Sequence, residues 1–152
     1  RHHTHRSEHI LQTHSLEYGV LSTTSASDGI AFGNPQSFSD GPEKDGSGKL
    51  YFYTSNMDAS MQDIQKNANV SFTLSEEMLG NRCTESFLDG HDAEDPRCVR
   101  LVFSGTWRST LSEEENAFAN RSLFERHPEM AKVLIALKEA REMLRLRRVA
   151  SD

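Results

Sequence analysis

Short β-forming runs separated by turn formers fill the first two thirds of this chain, and that rhythm constrains the fold more than any other feature. Tyr18-Gly19-Val20-Leu21-Ser22-Thr23-Thr24 is rich in strand formers, and Asp28-Gly29 after it marks a tight turn. Ile30 to Ser39 reads as a second strand. Its Pro35 cannot donate to a ladder, so an edge position or a bulge is expected there. Asp40 to Gly48 is a turn-rich loop, and Leu50-Tyr51-Phe52-Tyr53-Thr54 is the clearest strand in the chain. Asn69 to Leu74 alternates polar and apolar residues, as a half-buried strand does. Cys98 to Trp107 completes the set, with a bend expected at Gly105.

Helical signals lie between and after these runs. Met57, Met61 and Ile64 fall at helical spacing, which predicts a helix from Met57 to Asn67 with that stripe in the core. Asn67 is expected to end it in a left-handed conformation. Ser112 and Glu115 have the spacing of a capping box for a helix through about Glu125, with Ala117, Phe118, Arg121 and Phe124 on one mostly apolar face. His127-Pro128 breaks that helix, and Pro128 suits the first turn of the next. Residues 132–150 form one helix-forming stretch of Leu, Ala, Lys, Arg and Glu, and a short helix is expected near Ser7–Thr13. The order of elements predicts an α+β fold, an antiparallel barrel with helices at its ends. Three segments follow: a leader over 1–14, the strand-rich domain over 15–130 and a basic helical tail over 131–152.

At 152 residues the chain supports one core rather than two. No apolar run approaches the roughly 20 residues of a membrane helix. The net charge of −6 is uneven: residues 1–132 carry 12 Lys/Arg against 20 Asp/Glu, while the last 20 residues carry 5 against 3. An acidic body argues against nucleic acid as the main partner, because phosphate binding needs clustered cations. His2, His3, His5, His9 and His14 crowd the start as a solvated leader; a metal-binding arm would need a second ligand cluster to complete its site.

Cys83 and Cys98 flank an acidic, glycine-containing loop. As a disulfide they would close a loop of about 16 residues and contribute roughly 3 kcal/mol; as unpaired thiols they would pack in the core, and spacing does not choose between these. Asn69-Val70-Ser71 and Asn120-Arg121-Ser122 are glycosylation sequons, and with the cysteine pair they favour a secretory context.

Four segments in order resemble the CREG family: Phe38-Ser39-Asp40-Gly41-Pro42; Gly48-Lys49-Leu50-Tyr51-Phe52-Tyr53-Thr54-Ser55; Asp95-Pro96-Arg97-Cys98-Val99; and Leu123-Phe124-Glu125-Arg126-His127-Pro128-Glu129-Met130. The resemblance covers roughly residues 14–130. It implies an FMN-binding-type split barrel related to pyridoxamine 5′-phosphate oxidases. It further implies a secreted or endolysosomal glycoprotein that forms a homodimer, lacks catalysis and acts through a protein partner or receptor. After Met130 the family continues with a Trp-Pro pair and further strands. This chain runs into its basic tail instead, so an incomplete barrel is expected.

Flavin chemistry is the alternative. A flavin phosphate needs cations, because charge-assisted bonds are the strong ones. No Lys or Arg occurs between Arg6 and Lys44, or between Lys49 and Lys66, so no cofactor is expected. If FMN does bind, Ser22, Thr24, Ser55 and Arg100 are the candidates, with Thr23 and Thr54 as further hydroxyls. Arg97, Arg100 and Arg108 read either as phosphate ligands or as partners of the acidic loop at Asp89, Asp92, Glu94 and Asp95. That loop lacks the order of an EF-hand. No Cys-x-x-Cys, His-Glu-x-x-His or glycine-rich phosphate loop occurs, and no catalytic residue is assigned. His127 reads as a capping or packing residue at its helix junction.

If the chain passes through a secretory pathway, Asn69→Gln and Asn120→Gln should each increase gel mobility of the secreted product. Unchanged mobility in both variants would count against that route.

Overall fold

A computed structural model of the chain describes residues 13–42, 46–79 and 94–134. The leader before Thr13, Cys83, the loop positions Asp89 and Asp92, and the tail beyond residue 134 lie outside the described residues.

Five antiparallel strands form one curled sheet in the order β3-β2-β1-β4-β5: β1 Tyr18–Thr24, β2 Ala31–Ser39, β3 Tyr51–Phe52, β4 Asn69–Ser75 and β5 Arg100–Thr106. Helix α1, Ala59–Lys66, lies between β3 and β4, and α2, Glu113–Arg126, follows β5. Residues 13–15 and 128–134 are also helical, with Pro128 opening the second of these as its fixed φ favours. A short 3₁₀ turn, Glu76–Leu79, leaves β4.

The register follows from side-chain alternation. Leu21 lies opposite Asn34 on β2 and Phe72 on β4, and Phe72 lies opposite Phe103 on β5. Leu21, Phe38, Phe72 and Leu74 thus turn to one face, where Leu16, Met61 and Ile64 cover them and complete the main core. Packing at β1 is tight enough to require glycine: a Cβ on Gly19 would stand 2.6 Å from side-chain carbons of Leu74 and Phe72 and 2.7 Å from the Thr73 carbonyl. A second cluster of Tyr51, Ala119 and Leu123 sits under α2.

α1 is fixed by two carboxylates, one at its N-cap and one in its middle. Asp58 caps it by accepting from the Ser60 N–H at 2.8 Å, and also accepts from Gln36 Nε2 at 3.0 Å on β2. The buried Asp63 accepts from Thr23 Oγ1 and from the Ala26 N–H, each at 2.7 Å, which ties the helix to the β1–β2 turn. In that turn Gly29 takes φ 75°, and the Asp28 carboxylate accepts from the Ile30 N–H.

Several local expectations are corrected. Met57 is 87 % exposed: the helix begins only at Ala59, so Met57 precedes the core stripe that Met61 and Ile64 supply. Asn67 is extended (φ −141°) rather than left-handed, because β4 starts two residues later; its side chain accepts from the Asn69 N–H in a local turn. On α2 the buried residues are Ala119, Ser122 and Leu123, not the 117/118/121/124 face; Phe118 and Phe124 flank the contact and meet Tyr51 and Tyr53. Ser112 does cap α2 by accepting from the Glu115 N–H at 3.2 Å, but the Glu115 carboxylate reaches Lys49 and Arg108 instead of returning to the cap. β3 is two residues rather than five, and Gly105 keeps ordinary register with Val70. Pro35 fits its edge reading, since β3 pairs only with Phe38 and Ser39 at the far end of β2.

Gly19→Ala should therefore destabilise the fold by about 1–3 kcal/mol through overpacking. Gly105→Ala, whose Cβ would meet nothing within 4 Å, should shift stability by less than about 0.5 kcal/mol. Urea midpoints measure both, and equal midpoints would contradict the β1 packing.

Candidate functional site

Two places in the fold gather polar and aromatic side chains. The first is a buried charge cluster at the open end of β2. Asp40, 4 % exposed, accepts from Arg126 Nη1 at 2.8 Å and from His14 Nδ1 at 3.0 Å. The Arg126 guanidinium also lies 5.5 Å over the Phe38 ring. His127 Nε2 donates to the Phe38 carbonyl at 2.9 Å; a carbonyl can only accept, so that nitrogen carries the proton. The backbone N–H of His127 caps α2 on Leu123. His14, His127 and the Asp40–Arg126 pair thus lock the helix end to the strand end, a packing role for His127.

The second place is a cavity of about 390 Å³ on the concave face of the sheet, between β3, β5 and α2. Leu21 and Phe72 lie at its buried floor, and Phe52, Phe103 and Trp107 wall it. The Phe52 ring stands 4.9 Å from Phe72 and 5.1 Å from Trp107, so aromatic contacts bridge the space between the two edge strands. At the rim Glu115 accepts from Lys49 Nζ at 2.9 Å and from Arg108 Nη2 at 2.6 and 2.7 Å. Its carboxyl is held below the usual glutamate range, chiefly by the hydrogen bond from Lys49, with the charge of Arg108 adding to it. A lowered pKa means the rim crosslink is complete above the ordinary glutamate range and is lost as pH falls through the depressed value.

The sequence-predicted residues are dispersed. Ser22 is on the convex face of β1, between Gly33 and Ser71. Thr24 is at the end of that strand and accepts from Asn67 Nδ2 at 3.4 Å. The Ser55 hydroxyl closes a turn by accepting from the Met57 N–H. Arg100 is opposite Ser75, four positions along β4 from the Ser71 row, on the order of 14 Å away. Ser22 and Thr24 share one face of β1, but Arg100 does not stand beside them. Thr23 is committed to Asp63, and Thr54 is half-buried. Arg97 pairs with Asp95, pulling that carboxyl down to about 2, so it is a partner of the acidic loop; Arg108 belongs to the rim instead. Asn69 is exposed at the start of β4, whereas Asn120 is half-buried beside the cavity and its sequon Ser122 is fully buried on the Phe118 carbonyl. Cys98 is buried just before β5. Among the described residues no group of three or more His, Cys, Asp or Glu is placed to hold a metal, and no helix is long and apolar enough to cross a membrane.

A curled antiparallel sheet of this order, with helices at its ends, is a split β-barrel. Two solved structures share it: conserved hypothetical protein Rv2991 from Mycobacterium tuberculosis (TM-score 0.57, 18 % identity, 79 % of this chain and 62 % of that one) and protein Atu2129 (unknown function) from Agrobacterium tumefaciens (TM-score 0.57, 19 % identity, 85 % and 49 %). At such identities the likeness concerns the fold alone. The profile of the family described as "CREG, beta-barrel" matches residues 11–147. Human Protein CREG2 is 37 % identical over 122 residues, 78 % of this chain and 40 % of its own length; human Protein CREG1 is 37 % identical over 121 residues, 78 % and 53 %. Chicken Protein CREG1 is 35 % identical over 124 residues, 77 % and 61 %. The chain belongs to the CREG family, and it spans about half the length of the curated relatives it matches.

Asp40→Asn should destabilise the fold by about 3 kcal/mol, because it leaves the Arg126 guanidinium nearly buried without its counter-charge. The double variant Asp40→Leu/Arg126→Met should recover part of that loss. Denaturant unfolding checks both, and a single-variant loss under about 1 kcal/mol would place the pair outside the folding core.

Proposed function

We propose that this chain is the barrel portion of a secreted or endolysosomal CREG-type glycoprotein that acts by binding a protein partner or receptor rather than by catalysis. The observation that carries this reading is the separation of Arg100, the one cation among the candidates, from the Ser22 and Thr24 hydroxyls that share a face of β1, which deprives a flavin phosphate of a charged partner beside them. Family membership supports the secretory setting. Asn69, exposed at the mouth of β4, suits a glycan better than the half-buried Asn120. A Cys83–Cys98 disulfide closing the acidic loop belongs to the same reading, as does a homodimer. The convex face supports an interaction role: Tyr18 on β1 is 45 % and Val102 on β5 64 % exposed, on the same side of the sheet with β4 between them.

The purified protein should show no visible flavin absorbance, and added FMN should keep its fluorescence unquenched. A yellow protein, or heat released on titration with FMN, would favour the competing reading of an FMN-dependent oxidoreductase on this barrel. Two free thiols in a non-reducing mass measurement would remove the disulfide.

A further inference from the structure

The cavity between β3, β5 and α2 has a polarity that the interaction reading does not use. Its floor and nearer walls are aliphatic and aromatic: Leu21 and Phe72 are 1 % and 3 % exposed at the floor, with Phe52, Val70, Phe103 and Trp107 around them. Ser104, Thr106, Asn116 and Asn120 add uncharged polar groups to the lining. Its charged groups are confined to the rim, where Lys49 and Arg108 share the single carboxylate of Glu115. Two cations on one anion leave that rim with one uncompensated positive charge. The cation side chains are 61 % and 60 % exposed, while Glu115 is 16 % exposed, so the positive groups face the opening. An ammonium has three donors and a guanidinium five, and Glu115 uses only part of that capacity. A site that is apolar inside and carries one net positive charge at its mouth complements an amphipathic monoanion.

We propose that this cavity binds a fatty-acid-class ligand, with its acyl chain against Phe52, Phe72 and Trp107 and its carboxylate on Lys49 and Arg108. A methylene takes about the volume of one water, roughly 30 Å³. The cavity of about 390 Å³ therefore admits a chain on the order of ten carbons. The rim charge favours a singly charged carboxylate over a phosphate near −2, and the floor offers carbon to the ligand rather than the donors a heterocycle would seek.

Trp107 is the sole tryptophan of the chain and lines the cavity, so its emission reports occupancy directly. Titration of the full chain with laurate should shift that emission to the blue and saturate. Dodecanol, which lacks the charge, should bind at least about tenfold more weakly. The Lys49→Ala/Arg108→Ala variant should lose about tenfold in laurate affinity with dodecanol unchanged, and Glu115→Gln, which releases both cations, should bind laurate several-fold more tightly. Gly105→Leu directs a side chain into the cavity from a position where an added Cβ meets no atom within 4 Å. It should keep the wild-type circular dichroism and lose laurate binding. Unaltered Trp107 emission with laurate, equal affinity for laurate and dodecanol, or full binding by a folded Gly105→Leu variant would each overturn the proposal. So would displacement of laurate by a lower concentration of FMN.

Discussion

The ion pair between Asp40 and Arg126 is the constraint on which the arrangement of this barrel depends. The two residues are 86 positions apart in sequence, one following β2 and the other ending α2. Both are nearly removed from water, and such a pair is stable only when its remaining donors and acceptors are satisfied. His14 supplies a second bond to the same carboxylate oxygen, and the Phe38 ring receives the face of the guanidinium. The adjacent His127 bonds the Phe38 carbonyl, so consecutive residues at the end of α2 grip Asp40 and Phe38, two positions apart at the end of β2. That grip sets the angle at which α2 crosses the sheet. The crossing in turn places Ala119 and Leu123 over Tyr51 and brings Glu115 to Lys49 and Arg108.

This geometry explains why the family was legible in the sequence while its activity was not. The segments around Phe38–Pro42 and Leu123–Met130 are the two halves of the Asp40 cluster, and the segment around Lys49–Ser55 supplies Tyr51 and Tyr53, which meet Phe118 and Phe124. Asp95 and Arg97 close a local ion pair ahead of β5. The motifs that carry the resemblance are thus largely the fold's fastenings. Fastenings identify a barrel and a family, but say little about what the barrel holds.

Strand positions were readable because period-two alternation and turn formers act locally, as the Asp28-Gly29 turn does with its own carboxylate on Ile30. Faces of helices were less readable, because tertiary contact decides them. Met57 has the right spacing to join Met61 and Ile64, but Asp58 caps the helix after it and leaves it in solvent. Glu115 matches a capping box, yet two cations, one 66 residues earlier and one seven residues earlier, compete for its carboxylate and win it. The cavity rim was hidden for the same reason. Lys49, Arg108 and Glu115 share no motif, and only the curl of the sheet and the tilt of α2 bring them together. Hydroxyls such as Ser22 and Thr24 could be picked out by type, but which face and which strand end they occupy depends on register.

The opening between the edge strands follows from how little of β3 is strand. Two residues of pairing cannot extend a ladder toward β5, whose side chains are mostly exposed and whose Phe103 is 40 % exposed. Among the described residues, aromatic contacts take the place of a ladder there: Phe52 meets both Phe72 and Trp107 across the gap. A hydrogen-bonded seam would fix the two strands at about 4.8 Å and exclude anything between them. A seam of rings holds the edges together through side chains and keeps space behind them. The same feature that leaves the barrel split therefore creates the apolar cavity behind it, and the rim charges stand where that cavity meets water.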